Sequence, residues 1–465
     1  MPGLFQGLEL GKRALLTHQL SLQTTGHNIA NVNTPGYRRQ RVGVKTTIPE
    51  LQTYGSIGTG IKATDVRHIR DLFLGNQFRQ NSKSLGQWSY NSKTLSQVEA
   101  LFNEPGDNTL GNLITEFWNG WSELSVTAGN INFRENVLSD ANKLVNGLHD
   151  MARQLTDLQD SVDRDMVNLT ADVNRLSTEI ARLNHEIERS ELDGVVANDL
   201  RDSRDLLIDN LSVIVDVNTS QNEDGDMIVY IGAMALVDGD KALSIGTETV
   251  NENGSVKHNL VWEGTKISFK NLNGQIKGLL DSRDKIIPDY LSRLDDIAKT
   301  LVDEVNALHT TGYGLNNYTG YEFFDSRFTT AATIQINQEV ATDPEKIAAA
   351  TQMDSQSDNT MALAIFDLSD QLLMKDNSMT INDFYNSLVG TLGVETHEAG
   401  SFTDNYEILG QQIHNARQSV EGVSLDEEMA NMIKFQHAYD AAARVITTVD
   451  QALDTVINRM GIVGR

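Results

Sequence analysis

From Leu148 to Asp193 the chain contains neither glycine nor proline, and Gly147 and Gly194 bracket the run. Within it Leu148, Leu155, Val162, Leu169, Leu176 and Leu183 form an unbroken column at seven-residue spacing. A companion column stands four residues before it early on (Leu144, Met151, Leu158) and three before it later (Met166, Val173, Ile180). That one-residue drift is what a helix of 3.6 residues per turn does against a repeat of seven. A rod over this span runs about 70 Å at 1.5 Å per residue and needs a long partner. Leu280, Ile287, Leu294, Leu301 and Leu308 offer one on a second helix, with Pro288 marking a kink or start near its beginning. Much of the chain is thereby committed to a helical bundle.

Both ends carry stripes of the same period. Leu8, Leu15, Leu22 and Ile29 stand seven apart, with Leu4 beside them, on a segment otherwise polar and glycine-containing. At the other end Leu425, Met432, Tyr439, Ile446, Leu453 and Met460 form one column, and Phe435, Ala442, Val449 and Val456 a second. Sustained heptads of this kind signal a coiled coil. Periodicity does not distinguish a partner inside the chain from one outside it. Apolar faces left without a partner would be mobile, because isolated helices gain stability mainly from packing. The expectation is that residues 1–35 and 425–465 order on assembly.

Between the rods the pattern changes. Residues 211–275 alternate apolar and polar, and Asp224-Gly225 and Asn253-Gly254 are hairpin-turn dipeptides. A shorter helical stretch is expected after Asp343-Pro344, and loops near 310–320 and 393–403. The fold class is mainly α with an inserted β domain: a terminal α-helical coiled coil, a long-helix bundle body and a small β-rich outer domain. The domains divide as 1–35 plus 425–465, 36–205 plus 276–424, and 206–275.

Charge and composition narrow the function. The chain has 465 residues, about three domains' worth. Its net charge of −26 makes it a poor ligand for nucleic acid, whose phosphates repel it. Residues 1–90 nevertheless carry +7, with 11 basic and 4 acidic side chains. No apolar run exceeds the six residues Met361–Phe366, far short of the ~18 that a membrane span needs. The N-terminal residues have charges inside their apolar stretch and no small-residue cleavage site, so no cleaved signal peptide is expected. With no cysteine, thiolate zinc sites and cysteine nucleophiles are excluded. His185-Glu186-Ile187-Glu188-Arg189 lacks the second histidine of a zinc-protease helix. Asn222–Met227 opens like a calcium loop, but its glycine comes early and no glutamate closes it. No catalytic residue, cofactor site or metal site emerges, and no enzyme is expected.

One segment is specific. After the first helix stands Ala30-Asn31-Val32-Asn33-Thr34-Pro35-Gly36-Tyr37-Arg38-Arg39-Gln40. Proline disfavours helical geometry at Thr34, and Pro-Gly fits the centre of a type II turn. The string resembles the signature of bacterial flagellar rod, hook and hook-associated proteins. Gly58–Arg79, Ser424–Met429, Phe435–Tyr439 and Asp454–Asn458 are similar to further shared segments of that family. Asp202-Ser203-Arg204-Asp205-Leu206-Leu207, Gly278–Asp284, Asn306–His309, Gly312–Leu315, Asp358-Asn359 and Ala362–Ala364 resemble its hook-associated branch.

The resemblance implies a structural subunit at the junction between hook and filament. In this family the terminal helices pair facing a central channel, so Leu4, Leu8, Leu15, Leu22, Ile29, Leu425, Met432, Phe435, Tyr439, Ile446, Val449, Leu453 and Val456 are the expected assembly interface. The signature residues are Ala30, Asn31, Asn33, Thr34, Pro35, Gly36 and Tyr37. Implied partners are other copies in a ring or helical lattice, the hook protein, a second junction protein towards the filament, and an export chaperone on the C-terminal helix. No nucleic acid or membrane is implied. Export through the flagellar type III apparatus without a cleaved signal would place the chain outside the cell. The rival readings are a hook or distal rod protein sharing the termini, and an enzyme or adhesin carried between flagellar ends.

Overall fold

The computed structural model describes residues 2–52, 55–102, 109–221, 227–252, 255–265, 267–269 and 272–459. Helix α1 (Pro2–Ala30) leads into a long hairpin of β1 (Gln40–Thr46), β2 (Glu50–Gln52), β3 (Gly55–Ile57) and β4 (Ile61–His68). Helices α2 (Leu72–Phe102), α3 (Leu110–Val126), α4 (Ile131–Glu191) and α5 (Asn198–Ile214) follow. The strands β5 (Val217–Gln221), β6 (Met227–Ile231), β7 (Met234–Asp238), β8 (Lys241–Ala242), β9 (Ile245–Glu252) and β10 (Ser255–Trp262) come next. The chain closes with α6 (Gln275–Asp281), α7 (Ile287–His309), the short α8 (Gln338–Thr342) and α9 (Thr360–Phe366), then α10 (Ile381–Glu421) and α11 (Leu425–Asp454).

The long rod starts earlier than its glycine-free run. Helix α4 spans 61 residues, about 90 Å, and is capped by Asn130, whose side chain accepts from the Asn132 N–H. Gly147 lies inside it. The Leu113 side chain of α3 packs over it, 2.6 Å from where a Cβ would stand, and the helix runs on through the glycine. Leu148, Leu155, Val162, Leu176 and Leu183 are buried, as are Ile287, Leu294 and Leu301 on α7. Pro288 falls in the first turn of α7, directly after a π-helical stretch at Ser282–Ile286. One end of the core is an aromatic cluster of Phe117, Trp121, Phe323 and Phe324.

Three other expectations meet a different outcome. Residues 393–403 are not a loop; they lie within the 41-residue α10. Packing along α2 outweighs the local cost of Gly393 and Gly400, with Trp88 stacked on Phe402 and Ala399 buried. After Pro344 the helix is a single 3-10 turn, Pro344–Lys346. Ile347–Ala350 runs on as buried extended chain, because Tyr313 bonds it on both sides: its N–H donates to Ala350 O (2.7 Å) and its O accepts from Ala349 and Ala350 (3.1 Å each). Residues 206–214 belong to α5, so the β-rich segment begins at Val217.

Strands β5-β6-β7-β8 form one antiparallel sheet in that order, and β9–β10 a separate hairpin. The turns expected at Asp224-Gly225 and Asn253-Gly254 lie outside the described residues, as does most of Asn222–Met227. The β-rich unit is tied to α4. Asn174 exchanges two hydrogen bonds with the Ile245 backbone, each 2.8 Å. Asp163 accepts from the His258 N–H (2.9 Å) and from Arg283 (2.8 Å).

Candidate assembly interface and its anchor

Helices α1 and α11 pair with each other in the same chain, running antiparallel. A Cβ on Gly7 would meet Val449 Cγ2 at 3.2 Å, and one on Gly11 would meet Ile446 Cγ1 at 2.8 Å. Further along, the His18 and Phe435 rings stack with centroids 6.4 Å apart. Asn28 closes the seam by donating to the Glu428 carboxylate at 2.9 Å. The residue numbers rise on one helix as they fall on the other.

The seam on α1 is therefore made of small and polar residues. Gly7, Gly11, His18, Ser21, Thr25 and Asn28 recur at intervals of three, four or seven residues, which is one helix face. Ser21, Thr25 and Asn28 are buried, and the Thr17, Ser21 and Thr24 hydroxyls donate to carbonyls one turn back. The expected column of Leu8, Leu15, Leu22 and Ile29 stands one position on and is half-buried. On α11, Met432, Phe435, Tyr439, Ile446, Val449 and Leu453 are half-buried, as is Val456 just beyond it; Ala442 is buried and Leu425 exposed. The Leu4 side chain and Met460 lie outside the described residues. Stripes expected to stay unpaired until copies stack thus meet within the chain, because two glycines let the helix axes approach. An apolar search overlooks such a seam; Gly7 and Gly11 at i, i+4 were the signal available.

What the pair leaves open is its outer side. Phe5 is 59% exposed, Leu16 54%, Met429 52% and Ile433 56%. Phe5 and Leu16 are eleven residues apart, three helical turns, and share a face; Met429 and Ile433 are neighbours at i, i+4.

The signature turn positions the pair. Thr34 N–H donates to Asn31 O (2.9 Å) and Tyr37 N–H to Thr34 O (3.2 Å), closing a turn around Pro35-Gly36. Gly36 has φ +78°, and a Cβ there would also lie 3.1 Å from Leu206 Cβ. Ala30, Asn33, Thr34 and Pro35 are exposed, while the Asn31 side chain caps the helix by donating to His27 O (3.0 Å). The Tyr37 hydroxyl donates to Asn28 Oδ1 (2.8 Å), which also accepts from the Gln40 N–H (2.9 Å). Burial and the nearby Asp199, Asp202 and Glu428 push the Tyr37 hydroxyl upward, so it stays a donor.

Arg38 lies at the centre of the joint, 4% exposed. Its guanidinium donates to Asp205 (2.6 Å), Glu421 (2.8 Å) and Asp202 (3.1 Å), and its N–H donates to Asp202 as well (3.0 Å). Around it Arg79 and Arg417 hold the two oxygens of Asp209 at 2.7 and 2.9 Å, and Arg70 stands 3.2 Å from Asp205. Arg39 clamps the start of α11 through Glu427 and Glu428, both 2.7 Å. Burial alone would raise the Asp205 carboxyl, but Arg70, Arg38 and Arg79 outweigh it and hold it below its usual range. The same burial pulls Arg204, whose guanidinium faces Asn184, down to about 10.

Such a network adds little net stability, because desolvation offsets attraction, but losing one member leaves a buried charge unpaired. Its chemistry is geometric: it fixes α1, α5, α10 and α11 against one another. The sequence reading named the Arg38 and Asp202–Asp205 segments only as landmarks and missed Asp209, Arg417 and Glu421. Asp202, Asp205 and Asp209 at i, i+3, i+7 on one face of α5 carried a readable signal. Among the described residues no group of three or more His, Asp or Glu side chains is disposed to hold a metal ion. No described helix is long and apolar enough to cross a membrane.

Comparison with known proteins divides the chain at this joint. Residues 8–38 match the flagella basal body rod protein model, and residues 417–460 the C-terminal model of the flagellar basal body rod FlgEFG proteins. Residues 95–324 match the helical domain of the flagellar hook-associated protein FlgK. Arg38 and Arg417 are the boundary residues of the two terminal matches, and Asp202, Asp205 and Asp209 belong to the central one. Flagellar hook-associated protein 1 of Bacillus subtilis (strain 168) is 32% identical, with 100% of both chains covered. Its namesake in Escherichia coli (strain K12) is 24% identical over 95% of this chain and 97% of the relative. The flagellar hook junction protein FlgK of Burkholderia pseudomallei has a similar fold, with a TM-score of 0.67 at 14% identity, covering 74% of this chain and 100% of that one. The chain belongs to the flagellar hook-associated protein 1 family.

Proposed function

We propose that this chain is a structural subunit of the bacterial flagellum that forms the junction between hook and filament by self-assembly through its terminal helices. The observation that carries this is an antiparallel helix pair with an apolar outer side, held against a closed body by a buried ionic joint. A two-helix unit cannot cover its own apolar surface, and neighbouring copies can. The hook-associated helical domain at 95–324 favours this reading over a hook or distal rod protein.

On this reading the hook protein lies on one side of the ring and a second junction protein on the filament side. The open face of α11 suits an export chaperone before the chain leaves through the flagellar type III apparatus without a cleaved signal. The role is non-enzymatic, in keeping with a structural family.

The double substitution Met429→Asp/Ile433→Asp tests it, since both side chains already face solvent. The free protein should keep its unfolding free energy within ~1 kcal/mol of the parent, since each surface change usually costs no more than ~0.5 kcal/mol. Incorporation into flagella, read by immunolabelling at the hook's outer end, should be lost. Normal incorporation would contradict the proposal.

A further inference from the structure

The hairpin beside the terminal helices carries a charge pattern that helix assembly does not use. Strands β1 and β4 place Arg41 directly opposite Arg67, and Lys45 directly opposite Lys62. The bulge at Gly43/Val44 puts its extra residue, Thr64, on β4, so all four cations share one face. All four are exposed, and none of their side chains forms an ion pair or hydrogen bond within the described chain. Asp65, opposite Gly43, is on the same face and accepts from the Thr64 hydroxyl at 2.9 Å, which leaves the face at +3. Like charges directly opposite destabilise a strand pair. A two-stranded hairpin has little stability of its own to offset that.

The matching countercharge is on α10. From Ile381 to Ala416 this helix has no lysine or arginine, whereas the exposed acids of α4 are interspersed with Arg153, Arg164, Arg175 and Arg182. Asp404 and Glu407, at i, i+3, are exposed and pair with no cation among the described residues; Ile408 beside them is 55% exposed. Within one molecule the two faces stand apart. The hairpin follows α1 away from the joint, with Gln40 at Asn28, Gly60 at Leu10 and Glu50 at Gln6. Asp404 and Glu407 lie on the stretch of α10 packed along α2, about 20–25 Å of helix before Glu421.

We propose that the cationic face of the β1–β4 hairpin in one subunit docks on the Asp404–Glu407 face of α10 in a second copy of this chain. This rests on the reading above that copies assemble, and it names a contact beyond the terminal helices. In a chain of net charge −26, where copies repel one another, it is an attractive patch that orients their approach.

Charge reversal in the full-length chain tests it, with self-association followed by sedimentation at low salt. Lys45→Glu/Lys62→Glu and Asp404→Lys/Glu407→Lys should each weaken association about tenfold or more, and the chain carrying all four should recover to within about threefold. About 0.5 M salt should weaken the parent much more than either reversed variant, because exposed pairs are screened. All four positions are exposed, and circular dichroism should report unchanged helix content. Unchanged association after either reversal overturns the proposal. Loss without recovery in the fourfold variant overturns it too, and assigns the hairpin to another occupant such as a different axial protein. Failure of the assembly reading itself is a separate result: normal incorporation of Met429→Asp/Ile433→Asp.

Discussion

The body and the terminal pair are both built on seven-residue columns, yet they finish differently. On α4 and α7 the column residues are almost wholly out of water, enclosed by α2, α3, α5 and α6. On α1 and α11 the columns stay half-buried, and Phe5, Leu16, Met429 and Ile433 face solvent. Period specifies where a seam runs, and the number of surrounding elements decides whether it closes. The body closes itself, while the terminal pair has only its partner helix and one hairpin to lean on. That difference is what a subunit needs if its fold must stand alone and its ends must join neighbours.

The largest effect should come from cutting the link between the two regions. Arg38→Leu leaves Asp205, Asp202 and Glu421 buried without their shared cation and should cost about 3–5 kcal/mol. Urea unfolding followed by helix content would measure it. A loss below about 1 kcal/mol would mean the joint does not couple the ends to the body.

Next in size is an acid sensitivity confined to the body. His309 donates from Nδ1 to Tyr321 O (2.7 Å) and accepts at Nε2 from the Ala348 N–H (2.9 Å), so it must be neutral. Burial pushes its pKa down to about 4 from 6.5. The unfolded chain therefore takes up the proton first as pH falls. Stability is full above pH 6.5, and about 3 kcal/mol is lost by pH 4. His309→Gln should flatten that part of the stability–pH curve in thermal unfolding. An unchanged slope would remove His309 as its cause.

The smallest effect probes the seam alone. Gly11→Val places a Cβ 2.8 Å from Ile446 Cγ1 and should cost the terminal pair about 1–3 kcal/mol by overpacking. The body's unfolding midpoint should not move. Faster tryptic cleavage at Lys12 and Arg13, with the bundle intact, is the expected readout.

Much of this organisation was legible in the residues, and the failures have physical causes. The α4 and α7 columns are large apolar side chains at fixed spacing, so their periodicity translated directly into burial. The α1 seam did not read the same way, because Gly7, Gly11, Ser21 and Thr25 contribute closeness instead of apolar area. Gly147 looked like a helix end and Gly393 like the start of a loop, but tertiary packing on Leu113 and along α2 outweighs a local penalty of about 1 kcal/mol each. The β1–β4 hairpin was missed although Val42, Val44, Ala63 and Val66 alternate weakly within it. Arg38 was seen as part of a motif; its partners lie 164 to 383 residues away, a separation no local pattern carries.

Amide hydrogen exchange on the full-length chain, free and within isolated flagella, addresses the contrast most directly. The account predicts that α4 and α7 exchange only through global unfolding in both states. Amides of α1 and α11 should exchange orders of magnitude faster in the free chain and slow to the rate of the body on assembly. Equal protection of the ends and the body in the free chain, unchanged on assembly, would contradict it.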